Sequence, residues 1–535
     1  MSLNDVIKVS LSLTKSENCD IKLLCKGGDY VKKDQKIAVV TEKKEGVLTE
    51  KSSGSEVKVK AKQNFIKSPV YGKLIDYSKE DHCFFISPCK HEKLFGKMCI
   101  TCGFVTSETS NNSIYNSLSN EISFSENLAN KYVKSMVNKY LKERKLILLL
   151  DLDNTILHTS PLNLSEKEYK NLKEKHKESL GLIAVRQPNV NRFDQLVVKF
   201  RKHLKEFLNV AKEKYEIYIY THGTKEYAVG IIEYINNNFS DKALSTKRML
   251  SRESDENGML KIKSIKNFFP TNVNMIVVID DRKDVWMEKE ENLLMISPYL
   301  FFYDKKYIKT DKNNKQIVEY CVEFDYDNVL YVFKQMLSFI NKAFYEIYEK
   351  FKIKKSVEII ISEKLSSIYN GIKFYYHEPI QNKSSKMNKN EGGYIKESLR
   401  FKIEKFGGEF LSEDKERFKA DFILMRSYDK EDKLTKEIDE HNKTSETKIT
   451  LLSYSYIEIC FIFYYQISYD PFILSEQRKQ IQNLNLDEIF NLNKSGIDEF
   501  YGCENVGEDG KDGEKEREER ELSGDKGNEG DEGNI

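Results

Sequence analysis

The sequence predicts an α/β protein built on a parallel sheet, and three short apolar runs carry that prediction. "KLILLLDLDNT" runs into Asp151 and Asp153, "YEIYIYTH" into Thr221, and "VNMIVVIDDR" into Asp280 and Asp281. A short apolar run ending in polar groups fits a buried parallel strand whose carboxyl end opens into a site. In open α/β sheets, ligands sit outside those ends. One such strand could end in Asp153 and Thr155 merely to cap the next turn. Convergence of three ends with unlike, chemically useful groups is harder to explain by capping.

The rest of the chain falls into place around this centre. Residues 1–105 read as short strands with tight turns, with Gly27-Gly28 and Gly72 between alternating apolar positions. Residues 106–125, rich in Ser and Asn, read as a linker. A helix over 126–143 leads into the Asp151 strand and opens a domain running to 350. The Lys/Glu-rich stretch 162–180 reads as a solvated helix inserted after the first site. Leu204, Phe207, Leu208 and Ala211 recur at helical spacing, as do Tyr227, Ile231, Ile235 and Phe239. A longer stripe, Val329 to Ile347, predicts a helix over 328–350. Residues 352–475 read as a further α/β unit. The segment 476–535 is expected to be a disordered charged tail, because beyond 504 it offers almost no apolar surface to bury.

Composition sets bounds on function. With 86 Lys and Arg against 85 Asp and Glu, the formal net charge is +1, so no global pull toward nucleic acid or membrane follows. The N-terminal stretch carries acids and no apolar core, so it does not read as a secretory signal. The most apolar stretch, 449–469, is interrupted by Glu458 and is too broken for a membrane span. Nine scattered cysteines suit a reducing compartment, cytosol or nucleus.

"LLLDLDNTILHT", "KYEIYIYTHGTKEYA", "RMLSRESDENG", "KSIKNFFP" and "VVIDDRKDVW" together resemble the haloacid-dehalogenase (HAD) superfamily. Within it the likeness is to FCP-type phosphatases of the RNA polymerase II C-terminal domain. It covers about 200 residues, from 140 to 340, in the family's order. The resemblance implies a HAD-like Rossmannoid sheet, Mg²⁺ dependence, the polymerase tail as substrate and a nuclear location. It also implies the roles of individual residues. Asp151 would be the nucleophile, since a carboxylate needs no deprotonation at neutral pH. Asp153 would protonate the leaving serine oxygen and later activate water. Thr221 would hydrogen-bond one of the equatorial oxygens of the transferring phosphoryl group, and Lys263 would supply positive charge there. Asp281 is the favoured Mg²⁺ ligand, beside the Asp151 carboxylate and the Asp153 main-chain carbonyl; Asp280 would hold Lys263 or complete the outer shell. Hard oxygen ligands fit Mg²⁺ rather than zinc. Tyr215, Tyr227 and Arg252 would lie near the substrate, with Arg248 a competitor for the Arg252 role. His158 and Trp286 are expected to be structural.

Three flanking modules complete the reading. Cys89, His91, Cys99 and Cys102 form a C-x-H and a C-x-x-C, four ligands suited to tetrahedral zinc. The N-terminal strands resemble a biotinyl/lipoyl-like barrel-sandwich without an attachment lysine. Residues 352–475 resemble a BRCT domain, with "SVEIIIS" as first strand, "SLRFKIEKFGGEFLSE" as helix, turn and second strand, and Tyr456 where a Trp is usual. Its phosphate pocket would fall at Ser362, where Glu363 is unfavourable, so the module reads as one for packing and placement. In FCP-type enzymes acidic tails dock a general transcription factor, a further candidate partner. The tail of this chain lacks the apolar anchors such docking needs. Two other functions compete: a phosphatase of polynucleotides or small molecules, and a BRCT-type scaffold with an idle phosphatase fold. The intact Asp151, Asp153, Thr221, Lys263 and Asp281 argue against the second.

Overall fold

The computed structural model describes residues 6–10, 19–42, 63–80, 83–106, 115–116, 122–161, 166–186, 193–251, 262–265, 269, 273–286, 292–302, 309–310, 316–317, 327–377, 389–481 and 484–502. The chain divides into two compact units. One comprises Met1–Glu143, Leu250–Val273 and Val285–Glu288; the other comprises Arg144–Met249, Asn274–Asp284 and Lys289–Ile535.

In the first unit, Ile7–Ser10, Cys83–Pro88, Gly72–Ser78 and Tyr30–Val31 form one antiparallel sheet. Cys19–Leu23, Lys36–Glu42 and Gln63–Lys67 form another. Val31, Ile37, Ala38, Leu74, Phe84 and Ile86 make a common core. The stretch read as a linker is structured at its end. Ile122–Phe124 pairs antiparallel with Lys93–Phe95, and the Ser125 side chain caps helix Glu126–Lys142. A three-residue strand in a Ser/Asn-rich stretch is too short to announce itself by periodicity.

The second unit holds the five-stranded sheet that the three apolar runs predicted. Its order is Met249–Leu250, Tyr215–Tyr220, Leu146–Leu150, Ile276–Asp280, Leu293–Met295. The central strand pairs in parallel with both neighbours, with Leu150 opposite Ile219 on one side and Ile279 on the other. All five of its side chains are buried, because a parallel sheet is covered on both faces. Helices Leu204–Lys214, Lys225–Asn238 and Val329–Phe351 lie close to the predicted spans. After the insert helix Glu166–His176, two strands absent from the sequence reading, Leu180–Arg186 and Phe193–Phe200, join Leu157–Pro161 in an antiparallel sheet.

Residues 352–475 form a four-stranded parallel sheet in the order Glu409–Leu411, Lys373–Tyr376, Phe422–Met425, Thr450–Ser453. "SVEIIIS" is not its first strand. It is helix Val357–Ser366, with Val357, Ile360, Ile361 and Leu365 buried at helical spacing. Its β-branched content is a strand signal, but the burial period of three and four residues prevails. Ser362 and Glu363 are therefore exposed helix positions rather than the rim of a pocket. This sheet unit covers the edge of the central sheet: Tyr464 Oη donates to the Met295 carbonyl at 2.8 Å, and Lys405 Nζ to that of Leu293 at 3.5 Å. An uncovered edge strand would present unpaired backbone groups for aggregation.

The expected tail is ordered at its start. Helix Leu486–Phe500 follows the second sheet, with Ile489, Phe490 and Ile497 buried, and Asp498 accepts from Tyr331 Oη and Gln335 Nε2. Its polar surface hid a few apolar positions that suffice for one packed stripe. Residues 503–535 lie outside the described residues. Among the described residues, no helix is long and apolar enough to cross a membrane.

Candidate active site

Three parallel strands in register bring their carboxyl ends to one edge. Asp151 follows Leu150, and its N–H donates to the Ile279 carbonyl at 3.1 Å. Asp280 ends the adjacent strand and Asp281 follows it. One carboxylate oxygen from each of Asp151, Asp280 and Asp281 lies within 4.8 Å of the others. Asp151 and Asp280 are 7% and 1% exposed. Three carboxylates this close, two of them buried, repel one another when charged, and a cation would relieve them. All the donor atoms are hard oxygens, which fits Mg²⁺.

The loop after Asp151 is tightly wound. The N–H groups of Thr155, Ile156 and Leu157 all turn back to the Leu152 carbonyl, and Asn154 adopts a left-handed φ of 60°. This loop is followed by strand Leu157–Pro161, so Asp153 and Thr155 cap no helix. Thr155 instead links two strand ends. Its Oγ1 donates to Asp281 Oδ1 at 3.4 Å and accepts from the Asp281 N–H at 3.2 Å.

Asp153 receives two hydroxyls. Tyr227 Oη donates to its Oδ1 at 2.5 Å and Thr159 Oγ1 at 3.4 Å. Burial and the charge of Asp153 push the Tyr227 phenol well above its ordinary value, so it remains a donor at neutral pH. Tyr227 reaches this position because Thr224 caps helix Lys225–Asn238, accepting from the Tyr227 N–H at 3.3 Å. Gly223 leaves room for the ring: a Cβ there would lie 2.6 Å from Tyr227 Cδ1. Thr221, at the end of the third strand, is buried, and its Oγ1 accepts from the Gly223 N–H at 3.0 Å.

Tyr215 and Arg248 stand elsewhere. Tyr215 starts its strand opposite Leu146, at the end of the sheet away from Asp151, and its hydroxyl donates to the Leu337 carbonyl at 2.7 Å. It packs a helix rather than facing a substrate, because a large buried phenol must spend its hydroxyl on a nearby acceptor. Arg248 pairs with Glu216 at 2.7 Å and donates to the Ile217 carbonyl, which ties it to the strand. Arg252 lies outside the described residues. Lys263 is buried, its backbone bridges to that of Trp286, and its Nζ lies 5.6 Å from the Trp286 ring. Trp286 is buried, as expected. His158 is structural, its Nδ1 accepting from the Phe301 and Phe302 N–H groups at 2.9 Å each.

Sequence reasoning missed Arg201. Its guanidinium is buried and bonds Asp327 Oδ2 at 2.7 Å, the Thr155 carbonyl at 2.9 Å and Ser297 Oγ at 3.1 Å. It therefore anchors the Asp151 loop to the start of helix Val329–Phe351, where Asp327 also accepts from the Val329 N–H. The signal was available: a cation ending the apolar strand "LVVKFR" mirrors the acid ending "LILLLD". Arg201→Met should cost about 3–5 kcal/mol, the scale for leaving one member of a buried ion pair alone. Urea unfolding followed by circular dichroism measures it, and Arg201→Met with Asp327→Leu should recover part of the loss.

Residues 146–328 match the family model described as NLI interacting factor-like phosphatase. The chain carries an NLI interacting factor-like phosphatase domain. It is 31% identical over 295 residues to a Caenorhabditis elegans protein named as a C-terminal domain phosphatase of RNA polymerase II, a match covering 52% of this chain and 41% of that one. A Schizosaccharomyces pombe protein of the same name is 31% identical over 304 residues, covering 51% of this chain and 40% of that one. The chain thus spans less than half the length of these relatives. A solved structure described as that of Fcp1, an essential RNA polymerase II CTD phosphatase, aligns at a TM-score of 0.47 and 19% identity, covering 65% of this chain and 100% of that one.

Proposed function

We propose that the phosphatase domain is a Mg²⁺-dependent protein serine phosphatase acting through a phosphorylated Asp151, with the C-terminal heptads of RNA polymerase II as substrate and the nucleus as its place of action. The observation that carries the chemistry is the convergence of Asp151, Asp280 and Asp281 beside an Asp153 held by two hydroxyls. The substrate class rests on the names of the relatives.

Asp151 attacks phosphorus while Asp153 gives a proton to the departing serine oxygen. Asp153, now ionised, takes a proton from water, which attacks phospho-Asp151 and frees phosphate and Asp151. Asp151, Asp280 and Asp281 would hold Mg²⁺, whose charge when bound stabilises the transferring phosphoryl group. Thr155 keeps Asp281 beside Asp151 by bonding both its carboxylate and its N–H. Tyr227 and Thr159 fix the direction of the Asp153 carboxylate. The C-terminal sheet unit serves placement: Lys283, two residues past Asp281, holds its Nζ 4.2 Å from the Phe401 ring of that unit.

Heptad peptides phosphorylated on the first or the second serine of the repeat test this reading. At least one should release phosphate in the presence of Mg²⁺ and cease to do so with a chelator. Release that persists without Mg²⁺, or hydrolysis of a polynucleotide 3′-phosphate with none from either peptide, would contradict it.

A further inference from the structure

Cys89, His91, Cys99 and Cys102 of the first unit have no role in the chemistry proposed above, yet they form a compact cluster. One atom each of Cys89, His91, Cys99 and Cys102 lies within 4.8 Å of the others. Cys89 Sγ and Cys99 Sγ are 3.8 Å apart, and Cys102 Sγ is 3.2 Å from His91 Nδ1. Tetrahedral zinc with Zn–S bonds of about 2.3 Å sets neighbouring sulfurs about 3.8 Å apart. The cysteines are free thiols, not a disulfide.

The turn and the ring that carry these residues are fixed as well. The Cys99–Cys102 turn closes with the Gly103 N–H on the Cys99 carbonyl at 2.8 Å, and Gly103 has a φ of 71° that glycine adopts freely. The His91 ring is fixed by stacking on Phe104, with centroids 4.5 Å apart.

We propose that Cys89, His91 Nδ1, Cys99 and Cys102 bind one structural zinc ion. Four protein ligands leave no open position, so the ion supports folding rather than chemistry. The knuckle joins the strand Cys83–Pro88, the hairpin Lys93–Phe95 with Met98–Cys99, and the segment entering helix Glu126–Lys142 through the Ser125 N–H on the Glu92 carbonyl.

The full-length protein, expressed with zinc and exhaustively desalted, should carry one zinc per chain by elemental mass spectrometry. Cys99→Ser with Cys102→Ser should lose it. Replacement by Co²⁺ in the wild type should give thiolate-to-cobalt charge-transfer absorption and the strong visible bands of a tetrahedral site. His91→Cys should keep one metal ion, since four thiolates also suit zinc, and should shift the Co²⁺ spectrum. That variant decides the matter if the double serine variant is insoluble. Wild-type protein that holds neither zinc nor Co²⁺ overturns the site, as does zinc unchanged in a soluble double serine variant. A Co²⁺ spectrum identical in His91→Cys removes His91 from the ligand set and overturns the assignment.

Discussion

Asp151→Asn should abolish turnover of every phosphate ester, with a loss on the order of 10⁶-fold, the scale seen when a covalent nucleophile is removed. The amide cannot form the phosphorylated intermediate, and the remaining groups cannot replace it. The loss should not come from unfolding. Asp151 is one of three carboxylates within 4.8 Å of one another, so neutralising it removes repulsion. Thermal unfolding of the variant without Mg²⁺ should therefore occur at a temperature no lower than that of the wild type. Substantial residual turnover with phosphoserine peptides would place the nucleophile elsewhere, and a large fall in Tm would mean that the Asp151 carboxylate is needed for the fold.

Asp153→Asn should fail differently. It leaves the nucleophile in place and removes the proton donor, which with an alkyl serine leaving group should cost on the order of 10²–10⁴-fold. An aryl phosphate leaves with less need for a proton, so its first step should suffer less. Single-turnover release of the aryl alcohol separates the steps: a fast first turnover followed by slow steady release is the expected pattern. Equal loss for alkyl and aryl esters in the first turnover would mean that Asp153 is not the acid. Tyr227 and Thr159 bond this carboxylate in the structure, and the substitution removes its charge while leaving an acceptor for them.

The candidate site was legible in the sequence because its signal is local. Each strand is a run of buried residues, and its polar terminus follows without a gap, so strand and site are read together. The parallel register that aligns Leu150 with Ile219 and Ile279 is what turns three termini into one site, and only the expectation of convergence stood in for it. Residues whose roles depend on distant partners were illegible. Arg201 bonds groups 46, 96 and 126 positions away, and nothing near it in sequence announces them. Tyr215 and Tyr227 look alike in sequence, yet the first is at the wrong end of its strand and the second reaches Asp153 from a capped helix. The helix Val357–Ser366 was misread because β-branched residues favour strands while their spacing served a helix face. Helix Leu486–Phe500 was missed because its charged surroundings concealed a short apolar stripe.

The most direct measurement is the site of phosphate in Asp153→Asn protein incubated with an aryl phosphate and Mg²⁺. With the acid removed, the first step still proceeds for such an ester, and the second stalls because water has lost its base. Borohydride reduction and mass spectrometry of the quenched protein should locate the modification on Asp151. Phosphate on any other residue, or no covalent phosphate while aryl alcohol is released, would contradict phosphoryl transfer through Asp151.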